Sequence, residues 1–339
     1  MIDPQPIVAP PRGLRRPLSR LGLGAWVFGR TGWGTQNDQD SRAAILRAVE
    51  LGVNWIDAAA VYGNGHAERI VGQVLAELSS AERPLVCTKA GIKVDAASGR
   101  TNRDLTPRSL RAECEGSMTR LGIECIDLYL LHWPVDDPGI VEQAWDTFGQ
   151  LQREGKIHLA GVSNFDVDLL NRCAAQHPID AVQIPLSLLS RDACRYVLPW
   201  TAQRDVDTLT YSPLESGLLS GRFTPRVLRS LPVDDWRSQR VQFQQPQLGR
   251  TWDLLARLKP IAAEFGASLA EMAIAWALAW PGVDGVVVGA RSAGQVDGWA
   301  GASGLSLDDS VLDEIAAALL QTGAGDGPTH PHANPSHEA

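Results

Sequence analysis

The fold of this chain can be argued outward from residues 53–63, which read Val-Asn-Trp-Ile-Asp-Ala-Ala-Ala-Val-Tyr-Gly. The apolar and aromatic run at the start of this stretch is the pattern of a buried strand. The run ends on Asp57, three alanines follow, and Tyr62 precedes Gly63. A buried strand that ends on a carboxylate followed by small residues leaves room for another group to approach. Asp57 and Tyr62 are therefore the first candidates for chemistry.

Strand and helix patterns alternate along the rest of the chain. Eight strands are predicted, at 21–26, 53–56, 85–89, 126–131, 157–162, 181–185, 207–211 and 286–288. Amphipathic segments separate the strands, and the one over 41–51 ends at the helix-stop residue Gly52. This alternation predicts a single (β/α)8 TIM barrel over residues 17–321 with extra helices, an arm over 1–16 and a disordered tail over 322–339. A doubly wound sheet is the alternative, but no GxGxxG motif follows the first strand.

Composition excludes several classes of function. The net charge of −8 and the isoelectric point near 5.4 argue against nucleic acid and anionic membrane surfaces as partners. No segment has the length and hydrophobicity of a membrane span or a secretory signal, which favours a soluble, cytoplasmic protein. The five cysteines are an odd number without CxxC or Cys/His spacing, so they are expected to be free thiols rather than metal ligands.

Four polar residues meet at one face of such a barrel, because the carboxyl ends of all strands lie there. Asp57 and Tyr62 follow the second predicted strand, Lys89 ends the third and His132 follows the fourth. A tyrosine has an ordinary pKa of about 10, and burial raises it further. An ammonium at about 4 Å contributes on the order of 4 kcal/mol in the opposite direction. The four residues therefore predict a tuned phenolic acid beside a carbonyl site, with Asp57 keeping the lysine charged and His132 orienting the carbonyl.

Each of these residues also has a purely structural interpretation. Asp57 could cap a helix, Tyr62 could be a rim aromatic, Lys89 could extend along the surface to solvent, and His132 could be a hydrogen-bonded core histidine. Their places on successive strand ends favour the catalytic interpretation.

The sequence resembles the aldo-keto reductase family, in a bacterial branch near the potassium-channel β-subunits and the inositol-cluster reductases. The similarity extends from about Leu21 to about Ala302. Five stretches carry it, namely 54–63, Thr88-Lys89, 130–134 (Leu-Leu-His-Trp-Pro), 161–165 (Gly-Val-Ser-Asn-Phe) and 211–221.

The resemblance implies a barrel that reduces aldehydes or ketones with NADPH, NADH being less favoured. It implies Tyr62 as general acid, Lys89 and Asp57 as the pair that tunes it, and His132 as the residue that orients the carbonyl. The implied cofactor-binding residues are Ser163, Asn164 and Gln183 at the carboxamide, Tyr211 stacked on the nicotinamide, Ser212, Pro213, Leu214, Gly217, Leu219 and Gly221 at the pyrophosphate, and Gly289, Arg291 and Gln295 beyond the last strand. An arginine at 291 could hold a 2'-phosphate, which favours NADPH, or it could be a solvated surface arginine without a role in binding. Ser163 and Asn164 could instead cap the next helix, and Tyr211 could simply fill the core.

The chain also departs from the family pattern. Gly298 and Trp299 stand where the family carries a Glu-Asn pair for adenine, so Trp299 either stacks on adenine or packs in the core. Glu215 adds a carboxylate to the pyrophosphate segment and is expected to face solvent.

The substrate is expected to be a small carbonyl compound or a sugar, with the reverse reaction on sugars or alcohols left open. Trp26, Trp33, Trp133 and the loop 222–247 are expected to line its pocket. A nucleotide-sensing regulatory subunit with little turnover is the rival function. A metal-dependent hydrolase is less favoured, because Asp57, His66 and His132 would be its only ligands.

Overall fold

The structure is a computed structural model that describes residues 17–30, 36–95, 99–231 and 235–332. The predicted N-terminal arm and Trp33 lie outside the described residues.

Eight parallel strands close a barrel, and two short strands form a hairpin outside it. In chain order the ten strands among the described residues are β1 Leu21–Gly24, β2 Trp55–Asp57, β3 Leu85–Ala90, β4 Ile92–Val94, β5 Thr101–Arg103, β6 Ile126–Leu131, β7 Ile157–Ser163, β8 Ala181–Pro185, β9 Asp207–Tyr211 and β10 Gly285–Gly289. The order around the barrel is β1-β10-β9-β8-β7-β6-β3-β2, and β4 pairs with β5. The prediction of a (β/α)8 barrel is confirmed.

Helices surround the barrel and connect its strands. The eleven α-helices among the described residues are α1 Asp38–Glu50, α2 His66–Glu77, α3 Pro107–Leu121, α4 Pro138–Arg153, α5 Val167–Ala174, α6 Ala193–Arg204, α7 Pro225–Arg229, α8 Gln247–Glu264, α9 Leu269–Leu278, α10 Ala293–Asp297 and α11 Asp309–Thr322. Local sequence sets several of these bounds. Thr106 caps α3 ahead of a proline in the first turn, and Ser268 and Glu271 form a reciprocal capping box on α9.

The barrel interior is apolar at the end where the strands begin. Trp55 fills much of this space, and its Nε1 donates a hydrogen bond to the Ser19 carbonyl at 2.9 Å. Gly22 on the neighbouring strand makes room for the indole, since a Cβ at that position would lie 2.3 Å from the Trp55 ring. A second apolar layer lies between the strands and the helices. The polar side chains of the barrel interior therefore lie at the carboxyl ends of the strands.

Several elements differ from the sequence-based prediction. The strand predicted over 21–26 ends at Gly24, and a 3-10 helix, Trp26–Gly29, follows it. The hairpin β4–β5 and helix α6 are not singled out by the sequence. The described part of the loop 222–247 contains α7 and two short 3-10 helices. The segment after β10 forms α10 and then a 3-10 helix, Ala300–Gly304. The two hairpin strands show no strand pattern in the sequence, because each has only three residues and those of β5 are exposed.

The C-terminal segment, residues 323–332, belongs to the stretch that the sequence predicts to be a disordered tail. Its Gly/Pro-rich composition suggests disorder, but its glycines allow a close approach to the loop 187–191. The backbone N–H of Arg191 donates to the Asp326 carbonyl at 3.0 Å, and Ala324 is buried. Residues 333–339 lie outside the described residues.

Within the described ranges, none of the helices is by itself long and apolar enough to cross a membrane. The same ranges contain no group of three or more His, Cys, Asp or Glu side chains that could hold a metal ion. All five cysteines are free thiols.

Candidate active site

A buried ion pair lies at the carboxyl end of the barrel. Lys89 Nζ donates to Asp57 Oδ1 at 2.5 Å and to the Ala58 carbonyl at 3.0 Å, and both charged side chains are at most 5% exposed. Strand register produces the pair, since Asp57 lies opposite Cys87 on β3 and Lys89 is two residues further along the same face. Asp57 therefore does not cap a helix, and Lys89 does not extend to solvent.

Tyr62 is brought to the pair by the turn after β2. Its hydroxyl lies 3.5 Å from Lys89 Nζ. The turn requires a glycine at position 63. Gly63 has a φ of +60°, and a Cβ there would lie 2.4 Å from the Gly29 carbonyl oxygen. The His132 ring packs edge-on against Tyr62, with ring centroids 5.8 Å apart. All four predicted catalytic side chains are thus brought together.

Burial sets the direction of the pKa shift at Tyr62 and His132, whereas the charge of Asp57 sets it at Lys89. Burial raises the pKa of Tyr62 to about 12, and the nearby charge of Lys89 opposes this only in part. Burial would lower the pKa of Lys89, but the charge of Asp57 outweighs it and the pKa is raised. Burial and the charge of Lys89 together hold the pKa of His132 well below its ordinary value. Of the two opposing effects on the Tyr62 pKa, burial is therefore the larger, and the site presents a protonated phenol, an ammonium and a neutral imidazole.

A buried hydrogen-bond network continues from Asp57 across β7 and β8. Gln183 Nε2 donates to Asp57 Oδ2 at 2.7 Å, and Gln183 lies opposite Ser163 in the strand register. Asn164 Nδ2 donates to the His132 carbonyl and to Ser163 Oγ, each at 3.0 Å. Its Oδ1 accepts from the Tyr211 hydroxyl at 2.5 Å. Ser163, Asn164 and Gln183 therefore share one network with Asp57 and the His132 backbone.

Two alternatives that the sequence left open are decided by these contacts. The side chain that caps α5 is Asp166, which accepts from Leu169 N, and not Ser163 or Asn164. Tyr211 packs against the barrel interior, but its hydroxyl also belongs to the polar network.

The Gly217 segment, residues 212–221, follows β9 at the same end of the barrel. Pro213, Leu218 and Leu219 are buried, and their packing holds the segment against the rest of the protein. Its turn is left-handed at three successive residues, with φ of 43° at Glu215, 56° at Ser216 and 98° at Gly217. A Cβ at Gly217 would have no neighbour within 4 Å. The backbone of this turn is therefore open to close approach by a ligand.

Glu215 does not face solvent as expected. Its Oε1 accepts a hydrogen bond from Ser187 Oγ at 2.7 Å, and burial raises the pKa of its carboxyl. The side chain is thus turned into the protein and is used as an internal contact.

A pocket of about 440 Å³ lies beyond β10, lined by Gln36, Asn37, Asp40, Arg291, Ser292 and Gln295. Arg291 Nε donates to Gln36 Oε1 at 3.0 Å, and Gln36 Nε2 donates to the Arg291 carbonyl at 2.9 Å. Gln295 Oε1 accepts from Arg291 N at 2.8 Å. Trp299 is 2% exposed and belongs to the core, so it packs and does not stack on a ligand.

The site has the features that a nicotinamide cofactor requires. A buried set of amide and hydroxyl groups adjoins Tyr62, and these could hold a carboxamide. The open turn at Gly217 could approach a pyrophosphate, and the pocket at Arg291 could take the far end of a dinucleotide.

Aromatic side chains form one wall of the barrel mouth. Trp26 stacks on Tyr62 at 6.4 Å and on Trp236 at 5.6 Å between ring centroids. Trp133 is 37% exposed and lies under the Arg103 guanidinium at 5.3 Å. The sequence does not single out Trp236, because its loop has no regular pattern. Its aromatic character inside a long irregular loop was the available signal.

Comparison with known proteins identifies the family. The model described as "Aldo/keto reductase family" matches residues 20–320. The chain belongs to this family. It is therefore an oxidoreductase of the family that uses nicotinamide cofactors, and the resemblance found in the sequence is confirmed.

Aldo/keto reductases from bacteria and plants are similar to it over almost their whole length. "Aldo-keto reductase YhdN" of Bacillus subtilis is 32% identical, over 90% of this chain and 91% of the relative. The "NADH-specific methylglyoxal reductase" of Escherichia coli is also 32% identical, over 89% of this chain and 96% of the relative. "Probable aldo-keto reductase 1" of Glycine max is 32% identical, over 89% and 86%.

Solved structures of the family superpose on the barrel. The glycerol dehydrogenase AKR11B4 from Gluconobacter oxydans has a TM-score of 0.85 and 33% identity, over 93% of this chain and 95% of that chain. The holo form of aldo-keto reductase AKR11C1 from Bacillus halodurans has a TM-score of 0.70 and 23% identity, over 89% and 93%. At that identity the second similarity concerns the fold alone.

Proposed function

We propose that this protein reduces small aldehydes and ketones to alcohols with NADPH, with Tyr62 as the proton donor. The contact that carries the proposal is the 3.5 Å approach of the Tyr62 hydroxyl to Lys89, which is itself held by a buried carboxylate. A buried cation that touches a phenol is costly as a structural device, and it has a direct use where a phenolate forms during the reaction.

The chemistry divides between cofactor and protein. The nicotinamide supplies the hydride for the carbonyl carbon. Tyr62 donates its proton to the carbonyl oxygen, and the Lys89 ammonium stabilises the phenolate that is left. Neutral His132 donates a hydrogen bond that orients the same oxygen. Asp57 holds Lys89 in its charged form and in its place, and in the reverse reaction the phenolate accepts the proton of an alcohol.

The preference for NADPH is supported by Arg291 in the pocket beyond β10, where a guanidinium can pair with a 2'-phosphate. One relative bears the name of an NADH-specific enzyme, so both cofactors belong in the test. The names of the relatives also direct the substrate panel to small polar compounds, with methylglyoxal and other short aldehydes and ketones for reduction and glycerol for oxidation. A cytoplasmic location is supported by the five free thiols.

The test measures consumption of NADPH and NADH with this panel in the wild type and in Tyr62→Phe. We expect Tyr62→Phe to lower reduction by at least about 10²-fold, the low end for general acid catalysis. Cofactor binding, followed by quenching of tryptophan fluorescence, should stay unchanged because the lost hydroxyl faces the substrate.

Tyr196→Phe is the matched control, because Tyr196 is 64% exposed on helix α6 and should have no effect. Near-wild-type turnover in Tyr62→Phe would overturn the assignment. Tight cofactor binding without turnover of any panel member would instead favour a nucleotide-sensing subunit.

A further inference from the structure

The C-terminal segment is fitted closely to the loop 187–191 by two glycines. Gly325 has a φ of +66°, and a Cβ there would lie 2.4 Å from the Cα and the carbonyl oxygen of Leu189. Gly327 has a φ of +98°, and a Cβ there would lie 2.6 Å from the carbonyl carbon of Arg191. Side chains are thus excluded at both positions by backbone atoms that cannot easily move.

Arg191 fastens the two segments together. It is only 3% exposed, and its guanidinium donates to the carbonyls of Ala324 at 3.1 Å and Gly327 at 3.2 Å, as well as to that of Leu188. Its backbone N–H donates to the Asp326 carbonyl. A buried guanidinium needs hydrogen-bond acceptors, so the conformation of the loop depends on the presence of the C-terminal segment.

The other end of this loop contacts the Gly217 segment. Ser187 Oγ accepts from the N–H groups of Leu189 and Ser190 at 3.1 Å each, which orients the hydroxyl within the turn. The same hydroxyl donates to Glu215 Oε1 at 2.7 Å. Glu215 begins the three-residue left-handed turn, a conformation that non-glycine residues keep only where surrounding contacts hold it. The Ser187 hydrogen bond is one such contact.

We propose that the C-terminal segment positions the Gly217 segment for the cofactor, through Arg191, Ser187 and Glu215. These residues are positioning residues, and they set cofactor affinity and release without touching the reacting atoms. The proposal rests on the proposed function in one respect, namely that the Gly217 segment approaches the cofactor pyrophosphate.

The principal test is Gly325→Ala, with Gly323→Ala as the matched control. Both glycines have a left-handed φ, but Gly323, at +59°, has Arg250 Nη1 at 4.0 Å as the nearest atom to an added Cβ. The control therefore carries the same backbone strain without the steric overlap. We expect Gly325→Ala to raise the Kd for NADPH by about threefold to tenfold, the scale of one hydrogen bond, mostly through faster release. The kcat at saturating cofactor should stay unchanged, as should both constants in Gly323→Ala.

A second set of variants tests the path through Glu215. Ser187→Ala and Glu215→Ala should each raise the Kd by a similar factor, and adding Gly325→Ala to Glu215→Ala should have little further effect. Glu215→Gln keeps an oxygen acceptor for Ser187 Oγ and should retain most of the affinity. A loss in Glu215→Gln equal to that in Glu215→Ala would overturn the proposed path.

The outcomes separate this inference from the proposed function. A wild type that binds neither NADPH nor NADH contradicts the proposed function itself. A wild type that binds and turns over normally, with equal Kd values for Gly325→Ala and Gly323→Ala, overturns the inference alone. If Gly325→Ala does not fold, Ser187→Ala takes its place, because it leaves the Arg191 contacts intact. An unchanged Kd in that variant likewise overturns the inference.

Discussion

The catalytic end of the site and the pocket at Arg291 are held by different kinds of structure. Asp57 and Lys89 lie on β2 and β3, are buried, and are fixed by strand register and a 2.5 Å ion pair. Arg291 lies after the last strand, and its place depends on Gln36, a residue 255 positions away in the chain. One end belongs to the barrel, and the other is assembled from loops.

This difference predicts which substitutions should change the stability of the protein together with its activity. Removing a partner from the buried pair disturbs the barrel and the chemistry together, because the remaining charge loses its compensation. Removing a loop-borne side chain should act mainly on ligand binding, because the contacts that it breaks lie in loops outside the barrel. Four experiments separate the two behaviours.

Lys89→Met should have the largest effect. It leaves the Asp57 carboxylate buried without its cation, so the free energy of unfolding should fall by about 3–5 kcal/mol. Reduction should fall by at least about 10²-fold, and the loss should not add to that of Tyr62→Phe, because both act on one proton. Denaturant unfolding and steady-state kinetics measure the two effects.

Lys93→Met is the control, since Lys93 pairs with Asp104 while its side chain is 42% exposed. Such a pair should contribute no more than about 1 kcal/mol. Additive losses in Lys89→Met and Tyr62→Phe would show that Lys89 acts elsewhere.

Arg291→Ala should act on affinity alone. We expect it to weaken NADPH binding by about 1.5–3 kcal/mol, the range for hydrogen bonds to charged groups, and to leave NADH binding nearly unchanged. The reason is that only the 2'-phosphate distinguishes the two cofactors. Fluorescence titration measures the Kd of both cofactors. Arg42→Ala on helix α1 is the surface control. Equal losses for NADPH and NADH would mean that Arg291 supports the fold instead.

Trp236→Leu should have a smaller effect, confined to the substrate side. It removes a ring stacked on Trp26, a contact of about 0.5–1.5 kcal/mol beyond the area buried. The KM for the best carbonyl substrate should rise while the Kd for cofactor stays constant. A change in cofactor affinity without a change in KM would place this loop with the Arg291 end.

The pH dependence should be nearly absent over the neutral range, which is the smallest expected effect. Tyr62, with its pKa raised to about 12, and His132, with its pKa lowered, both stay in their neutral forms. Single-turnover reduction should therefore be flat between about pH 6.5 and 9. Because the pKa of Tyr62 exceeds its unfolded value of about 10, its contribution to stability is present below that pH and is lost as the pH rises through about 12. A step in the rate near neutrality that Tyr62→Phe abolishes would contradict these pKa directions.

The catalytic end was predictable because it depends on local pattern and on one general rule. The run before Asp57 predicts a strand, and so do the runs that end at Lys89 and before His132. Once parallel strands alternate with helices, their carboxyl ends must meet, and these side chains meet with them. Even so, the sequence did not show that burial would exceed the effect of Lys89 on the Tyr62 pKa, since burial is a property of the packed barrel.

The sequence by itself determined the barrel and the meeting of Asp57, Tyr62, Lys89 and His132 at one end of it, because strand and helix periodicity and strand-end position are local properties. Tertiary structure alone decided that Glu215 turns inward to Ser187, that Trp236 stacks on Trp26, and that Trp299 packs in the core. The tertiary structure also decided that Gly325 packs against the Leu189 backbone, although the composition of the tail suggests disorder. Each of these contacts joins residues that are distant in the chain. Local propensity carries no information about such pairs, and only the packing of the whole chain selects them.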